Sequence, residues 1–321
     1  MIQTRTGLAL ALFFGIVSVP RIAVASDLSV LAAPILRQIY SFDFAGAIAA
    51  AQNLQQSQPN HPLGYLLEAE ALGWKIWCTS AEYKYGFTTA RRRAKLPQDQ
   101  HYFELAEKVT SLAEARLKEQ DSAEMHFFAG MGQALSARLY GLRGENRSVA
   151  RMGVRARQHF LKALELDPNF ADANFGLGLY NYYVDTLSGI AKVLRFFMGI
   201  PAGSKEDGIR QLQQAIDHGE LARVDAAFYL ALNSIMYDRN YERALAVVEP
   251  LVQEHPSNPL FLLLRGDALA KLARNEQATA SYRAALAVPV RDSGCAARVQ
   301  ILAQASLDAL GRPAAAQSAP H

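Results

Sequence analysis

Along most of the chain, apolar residues recur three and four positions apart, the spacing that stacks side chains on one face of an α-helix. The same pattern returns in several segments. In FAGAIAAAQNLQQSQP, residues Phe44, Ala47, Ala51, Leu54 and Pro59 stand at offsets 0, 3, 7, 10 and 15. Gly153, Ala156, Phe160, Ala163 and Pro168 repeat those offsets, as do Tyr241, Ala244, Val248, Leu251 and Pro256. Asn275, Ala278, Tyr282 and Ala285 form a fourth copy, and Lys205, Gly208, Leu212 and Ala215 a fifth without the closing proline. A small residue lets the neighbouring helix approach, the larger residue four positions on fills the space between helices, and proline ends the helix. Partner segments such as DANFGLGLYNYY, DAAFYLALNSIMY and NPLFLLLRGDALAKL carry apolar stripes of their own. Asn258-Pro259 reads as an N-cap followed by N1. Ser204 with Asp207, and Asp121 with Glu124, approximate capping boxes. No alternating run flanked by a hairpin turn signals a strand.

Helix pairs of this composition and period resemble the tetratricopeptide repeat, a helix-turn-helix unit of about 34 residues. The resemblance implies an all-α solenoid of antiparallel helix pairs, about fourteen helices in all. Its clearest repeats cover residues 27–60, 147–183 and 204–290, and residues 61–146 read as diverged repeats. Residues 292–310 form a capping helix over the last repeat's apolar face, and 311–321 a disordered tail. The small residues at 208, 244 and 278 are 36 and 34 apart, but Ala156 to Gly208 is 52. The excess falls on 184–203, which reads as a short helical insertion inside one repeat. Within it Ile190, Val193, Leu194 and Phe197 share one helical face, with Lys192 and Arg195 opposite. It packs on the solenoid, or lies on a lipid or partner surface, a peripheral membrane contact through residues 188–198. From about Tyr180 to Leu286, the order of helix, LRFFMGI insert, Gly-Ser-Lys-Glu-Asp-Gly and Ile-Arg-Gln-Leu helix is similar to the TPR family of mitochondrial outer-membrane inclusion-clearance proteins and their bacterial relatives. That similarity implies a helical adaptor rather than an enzyme, and carries no functional residue over.

Composition changes the picture mainly at the N-terminus. Arg5, the apolar run Leu8 to Val19 and Ala23-Val24-Ala25 together match a cleavable signal peptide over residues 1–25. The expectation is Sec-type export to a periplasm or cell envelope, and no Cys follows the cleavage site to make a lipoprotein. Without Arg5 and Arg21 the chain holds 31 basic against 30 acidic residues, a net +1. A near-neutral chain has no bulk attraction for nucleic acid. The two cysteines, Cys78 and Cys295, could pair in an oxidising compartment, but they are far apart in sequence and an extended solenoid keeps such residues apart, so two separate buried thiols are the expected state.

Candidate chemistry is sparse. HExxH, GxSxG, the P-loop and GxGxxG are all missing from the sequence. The Gly176 and Gly178 pair falls inside a repeat helix, where glycine permits close packing. The seven histidines are scattered, with His126, His159 and His218 read as helix-face residues, and neither metal nor cofactor is expected. Arg91-Arg92-Arg93-Ala94-Lys95 reads as a solvated run. Trp74, Trp77, Tyr83, Tyr85 and Phe87 form the richest aromatic group. The best functional material is a row of large residues at inward positions of the first helices, which line the concave surface of such a superhelix. That row is Glu70, Trp74, Phe175, Tyr182, Tyr183, Tyr229, Asn233, Tyr237, Asp267 and Lys271. Tyrosine and tryptophan join apolar area to a polar tip and suit contact with a partner. The expected role is a non-catalytic scaffold holding an extended peptide or protein in the concave groove. The alternative is a glycan- or lipid-binding envelope protein that uses the aromatic groove and the basic insert.

Overall fold

The computed structural model describes residues 27–80, 95–186 and 199–311. The signal-peptide region, Tyr83, Tyr85, Phe87, Arg91 to Arg93, the core of the insertion at 187–198 and the tail from 312 lie outside the described residues. Among the described residues there are thirteen α-helices and no strand. They are α1 (Asp27–Tyr40), α2 (Phe44–Ser57), α3 (Leu63–Ser80), α4 (Gln98–Leu117), α5 (Ala123–Arg143), α6 (Asn146–Leu166) and α7 (Ala173–Thr186). There follow α8 (Lys205–His218), α9 (Arg223–Asn233), α10 (Tyr241–Glu254), α11 (Pro259–Lys271), α12 (Asn275–Ala287) and α13 (Ser293–Leu310). Each packs on its sequence neighbour, as in a TPR-like solenoid.

Local chemistry sets the helix starts. The side chains of Asp43, Ser204, Asn240, Asn258 and Asp292 each accept a hydrogen bond from a backbone amide of the following first turn. At α5 the cap is Ser122, which accepts from Met125 N, rather than Asp121. Asp121 is instead turned toward His126, so the Asp121–Glu124 box does not form.

The repeat's small-and-large logic is visible in the core. The fully buried Phe160 ring of α6 lies against the backbone of Gly130 in α5 and Gly176 in α7. Tyr282 lies in the same way on Gly266. A β-carbon on Gly176 would stand 2.0 Å from Phe160 Cε2, so this seat needs glycine.

The solenoid also closes on itself. Cys78 near the end of α3 and Cys295 in the first turn of α13 form a disulfide, their Cα atoms 5.2 Å apart across 217 residues of sequence. The expectation of two separate thiols is therefore wrong. It assumed an extended solenoid, whereas α13 packs on α3. Lys75 pairs with Asp292 at 3.1 Å, and Arg291 with Asp43 at 3.0 Å, at the same seam. Deeper in, the Tyr40 hydroxyl donates to Asp225 Oδ2 of α9 at 2.7 Å, and Asn258 Nδ2 donates to the Tyr40 carbonyl at 3.0 Å. Trp74 touches the rings of Phe228 and Phe261 at 4.8 and 5.9 Å. The first three helices thus fill space that an open superhelix would leave as groove.

Candidate functional site

Inward side chains of α3, α5, α7 and α9 meet α1 in the middle of the molecule. Glu70 of α3 is held by Arg138 of α5 through two hydrogen bonds, Nη1 to Oε2 at 2.7 Å and Nη2 to Oε1 at 3.3 Å. The Arg138 guanidinium also lies 5.7 Å from the centre of the Tyr229 ring. Phe175 is 6.1 Å from Tyr229. Trp74 lies beside Asp225, whose Oδ1 nevertheless makes no hydrogen bond of normal geometry among the described residues. The Tyr102 hydroxyl is likewise buried and unpartnered among them. Burial, and then the negative charge of Glu70, push the Asp225 carboxyl up to about 7, against the attraction of Arg138. Glu70 and Arg138 cancel, so ionised Asp225 is the uncompensated charge of this interior.

Two small cavities open beside the cluster. One, of ≈ 20 Å³, is lined by Glu70, Phe127, Met131, Phe175 and Asp225 among others. The other, of ≈ 10 Å³, lies between Trp74, Trp77, Arg138, Asp225 and Tyr229. Each has room for about one water-sized molecule and none for a peptide or a sugar ring. Among the described residues no group of three or more His, Cys, Asp or Glu is placed to hold a metal, and no helix is long and apolar enough to cross a membrane.

The row continues along α9 into a second cluster. After Asn233 the helix widens into a single π-turn, Ser234–Asp238, ending at Arg239 in the left-handed region (φ 53°). Such turns are frequent at functional sites. Tyr182, Tyr183 and Tyr237 form a triangle of edge-on rings, with centroids 5.6 to 6.2 Å apart. The Tyr182 hydroxyl donates to Asp238 Oδ1 at 2.9 Å, and Tyr183 donates to Asn233 Oδ1 at 2.9 Å. Lys205 reaches Asp238 Oδ1 at 2.9 Å, and Arg243 reaches its other oxygen. Burial and the neighbouring Asp238 push the Tyr182 hydroxyl far up, so it stays a hydrogen-bond donor. Two of the three rings are therefore fixed by their own hydroxyls, while Tyr237 is 51% exposed and Met236 beside it 40%.

Eight of the ten sequence-predicted positions fall in these two clusters. Glu70, Trp74, Phe175 and Tyr229 lie in the interior one, with Tyr182, Tyr183, Asn233 and Tyr237 in the tyrosine one. Asp267 is elsewhere, buried and accepting from the Tyr282 hydroxyl at 2.9 Å, and Lys271 stands exposed at the end of α11. Glu70, Trp74, Phe175, Tyr182, Tyr229 and Asn233 are buried, Tyr183 is half-buried, and Tyr237 reaches solvent.

Tyr40, Arg138, Asp225 and Asp238 went unread in the sequence. Arg138 and Asp225 occupy helix positions where charge ordinarily faces water, and Tyr40 meets Asp225 across 185 residues. His126 and His159, read as separate helix-face residues, also meet, Nδ1 to Nδ1 at 3.0 Å, with His126 Nε2 2.7 Å from Asp121.

No protein-family model matches the chain, and no curated protein matches it. Among solved structures it aligns with the structure of Naa15/Naa10 bound to HypK-THB at 16% identity and a TM-score of 0.33. That alignment covers 91% of this chain and 41% of the matched one, so the chain spans about two fifths of its length. Yeast Tom70 aligns at 11% identity and a TM-score of 0.27, over 87% of this chain and 88% of that one. Likeness this distant bears on neither function nor partner.

Proposed function

We propose that the chain is a non-catalytic protein-interaction scaffold, exported to a bacterial cell envelope, which holds a segment of a partner protein. The observation that carries this reading is the tyrosine triangle on the π-turn. It is the one stretch of the inward row that combines fixed aromatic rings with solvent access, at Tyr237 and Met236. Surfaces whose anchors are immobilised before contact lose little side-chain entropy on binding, and tyrosine is enriched among anchors. Glu70, Trp74, Phe175 and Tyr229 are shut in by α1 to α3, so in this reading the partner engages the end of the groove and not its length. The Cys78–Cys295 disulfide supports export, since such bonds persist in oxidising compartments.

The test is crosslinking capture in the native host with the exported, tagged protein, beside a Tyr237→Ala, Met236→Ala variant. Both side chains reach solvent, so helicity should be unchanged, and the melting temperature should fall only by the loss of the edge-on contacts of Tyr237 with Tyr182 and Tyr183. The expected result is a protein captured by the parent and reduced about ten-fold or more in the variant. An unchanged capture pattern moves the binding surface off the π-turn. No captured protein at all overturns the scaffold reading.

A further inference from the structure

The α6 helix, NRSVARMGVRARQHFLKALEL, carries five basic residues and one acidic one, in a chain that is otherwise nearly balanced. Arg147, Arg151 and Arg155 follow one another at four-residue steps, and all three are exposed. Steps of four keep them on one stripe, about 6 Å apart. Among the described residues none of the three makes an ion pair or a side-chain hydrogen bond. The residues outside the described set contribute a single acid, Glu82.

The charge order of α6 also runs against its own dipole. Helices are stabilised by acids in the first turn and bases in the last. Here the first turn has no acid and holds Arg147, while the acid, Glu165, comes at the far end. The residue before the helix, Glu145, makes no capping bond and pairs with Lys95 at 3.4 Å. Three like charges on one stripe repel as well. This arrangement costs the helix stability, and charge placed against local stability marks a site of use.

We propose that this stripe docks an acidic helix of a partner protein, one with carboxylates at successive four-residue steps. The inference rests on the scaffold reading and names the chemistry of its partner. The match is one of spacing. Carboxylates four apart on a helix repeat every 6 Å, and each guanidinium fork can take a carboxylate by two parallel bonds. A bilayer is the poorer occupant. α6 has no Trp or Tyr to anchor at an interface, and its exposed apolar residues are the two leucines Leu161 and Leu166.

The experiment uses the full chain and three probes. They are a synthetic helical peptide with glutamate at every fourth position, a peptide of equal composition with the glutamates scrambled, and phosphatidylglycerol vesicles. The variants are Arg147→Gln, Arg151→Gln, Arg155→Gln together, and the same three changed to lysine. The expected result is that the spaced peptide binds the parent about ten-fold or more tightly than the scrambled one. Binding weakens with salt, is lost in the glutamine variant and is weakened in the lysine variant. The glutamine variant should melt no lower than the parent, since the dipole conflict is removed. Equal binding of both peptides, binding of vesicles alone, or no binding to any probe overturns the proposal. So does a glutamine variant that melts markedly lower, because the stripe would then serve the fold. Crosslinking in the host separates the two readings. A protein captured equally well by the parent and the glutamine variant leaves the scaffold standing without the stripe. Failure of the parent to capture any protein removes the scaffold reading itself.

Discussion

Asp225 is the residue whose environment is least comfortable. Its carboxyl is buried, faces Glu70, and satisfies one oxygen through Tyr40 and not the other. The folded state therefore holds this proton up to about pH 7, while the unfolded chain releases it near the ordinary value of about 4. Between those limits the native state binds the extra proton. Stability must then fall as pH rises through the window, the reverse of an ordinary paired carboxylate. Asp225→Asn keeps an acceptor for Tyr40 and cannot ionise. Thermal melting between pH 5 and 8 should show a shallower decline for Asp225→Asn than for the parent. The gain should be on the order of 2 kcal/mol at the upper end. An identical pH dependence in both would mean that Asp225 is not the titrating group. No sequence signal pointed here. An Asp in the first turn of a helix is the commonest stabilising placement, and only the approach of α1 and α3 turns it into a buried charge.

At the scale of the element, the reading from sequence was more secure, because it rested on positions that are adjacent along a helix. The small residue that admits a neighbour and the large residue four places on are visible in the chain, and the structure gives them the roles expected. Phe160 sits against Gly130 and Gly176, and Tyr282 against Gly266. Gly176→Ala tests the logic. Its β-carbon would fall 2.0 Å from the fully buried Phe160 ring. Alanine normally favours a helix over glycine by about 1 kcal/mol. Here the overlap should reverse that, and the variant should unfold in denaturant with a loss of about 1–3 kcal/mol. A stability gain would mean that the rings move aside freely and that α5, α6 and α7 are not locked by this contact. Asp43, Asn240 and Asp292 cap unread. Of the three caps read in the sequence, those of Asn258 and Ser204 form, while Ser122 stands in place of Asp121. Either residue can cap, and the one that does is decided by where α5 meets α6, with Asp121 drawn to His126.

For the whole molecule, the local signals run out. A repeat period specifies how each helix lies on the next and leaves open whether the ends of the array meet. The difference is large here. Glu70, Trp74, Phe175 and Tyr229 are buried where α1 to α3 return against α9, α11 and α13, whereas Tyr182 and Asn233 are buried within the tyrosine cluster and Asp267 beside Tyr282. The disulfide is the covalent part of that return. Cross-linking residues 217 apart removes much of the freedom of the unfolded chain, which by loop entropy alone is worth about 5.4 kcal/mol. The non-covalent seam is thinner. It includes the Lys75–Asp292 pair, the exposed Arg291–Asp43 pair, the Tyr40–Asp225 and Asn258–Tyr40 bonds and the ring contacts of Tyr40, Trp74 and Trp77 with His255, Phe228 and Phe261. Exposed pairs contribute about 0–1 kcal/mol each. Changing Cys78 and Cys295 to Ala should thus lower global stability by about 2–5 kcal/mol. Hydrogen exchange should also rise first in α1 to α3 and α13, because the seam can open without separating α5 from α6. If protection falls evenly along the chain, the molecule unfolds as one unit and the disulfide is only an entropic staple. If it falls at the seam, closure is a separable step of folding, and the disulfide is what keeps Glu70, Trp74, Tyr229 and their charged centre shut in.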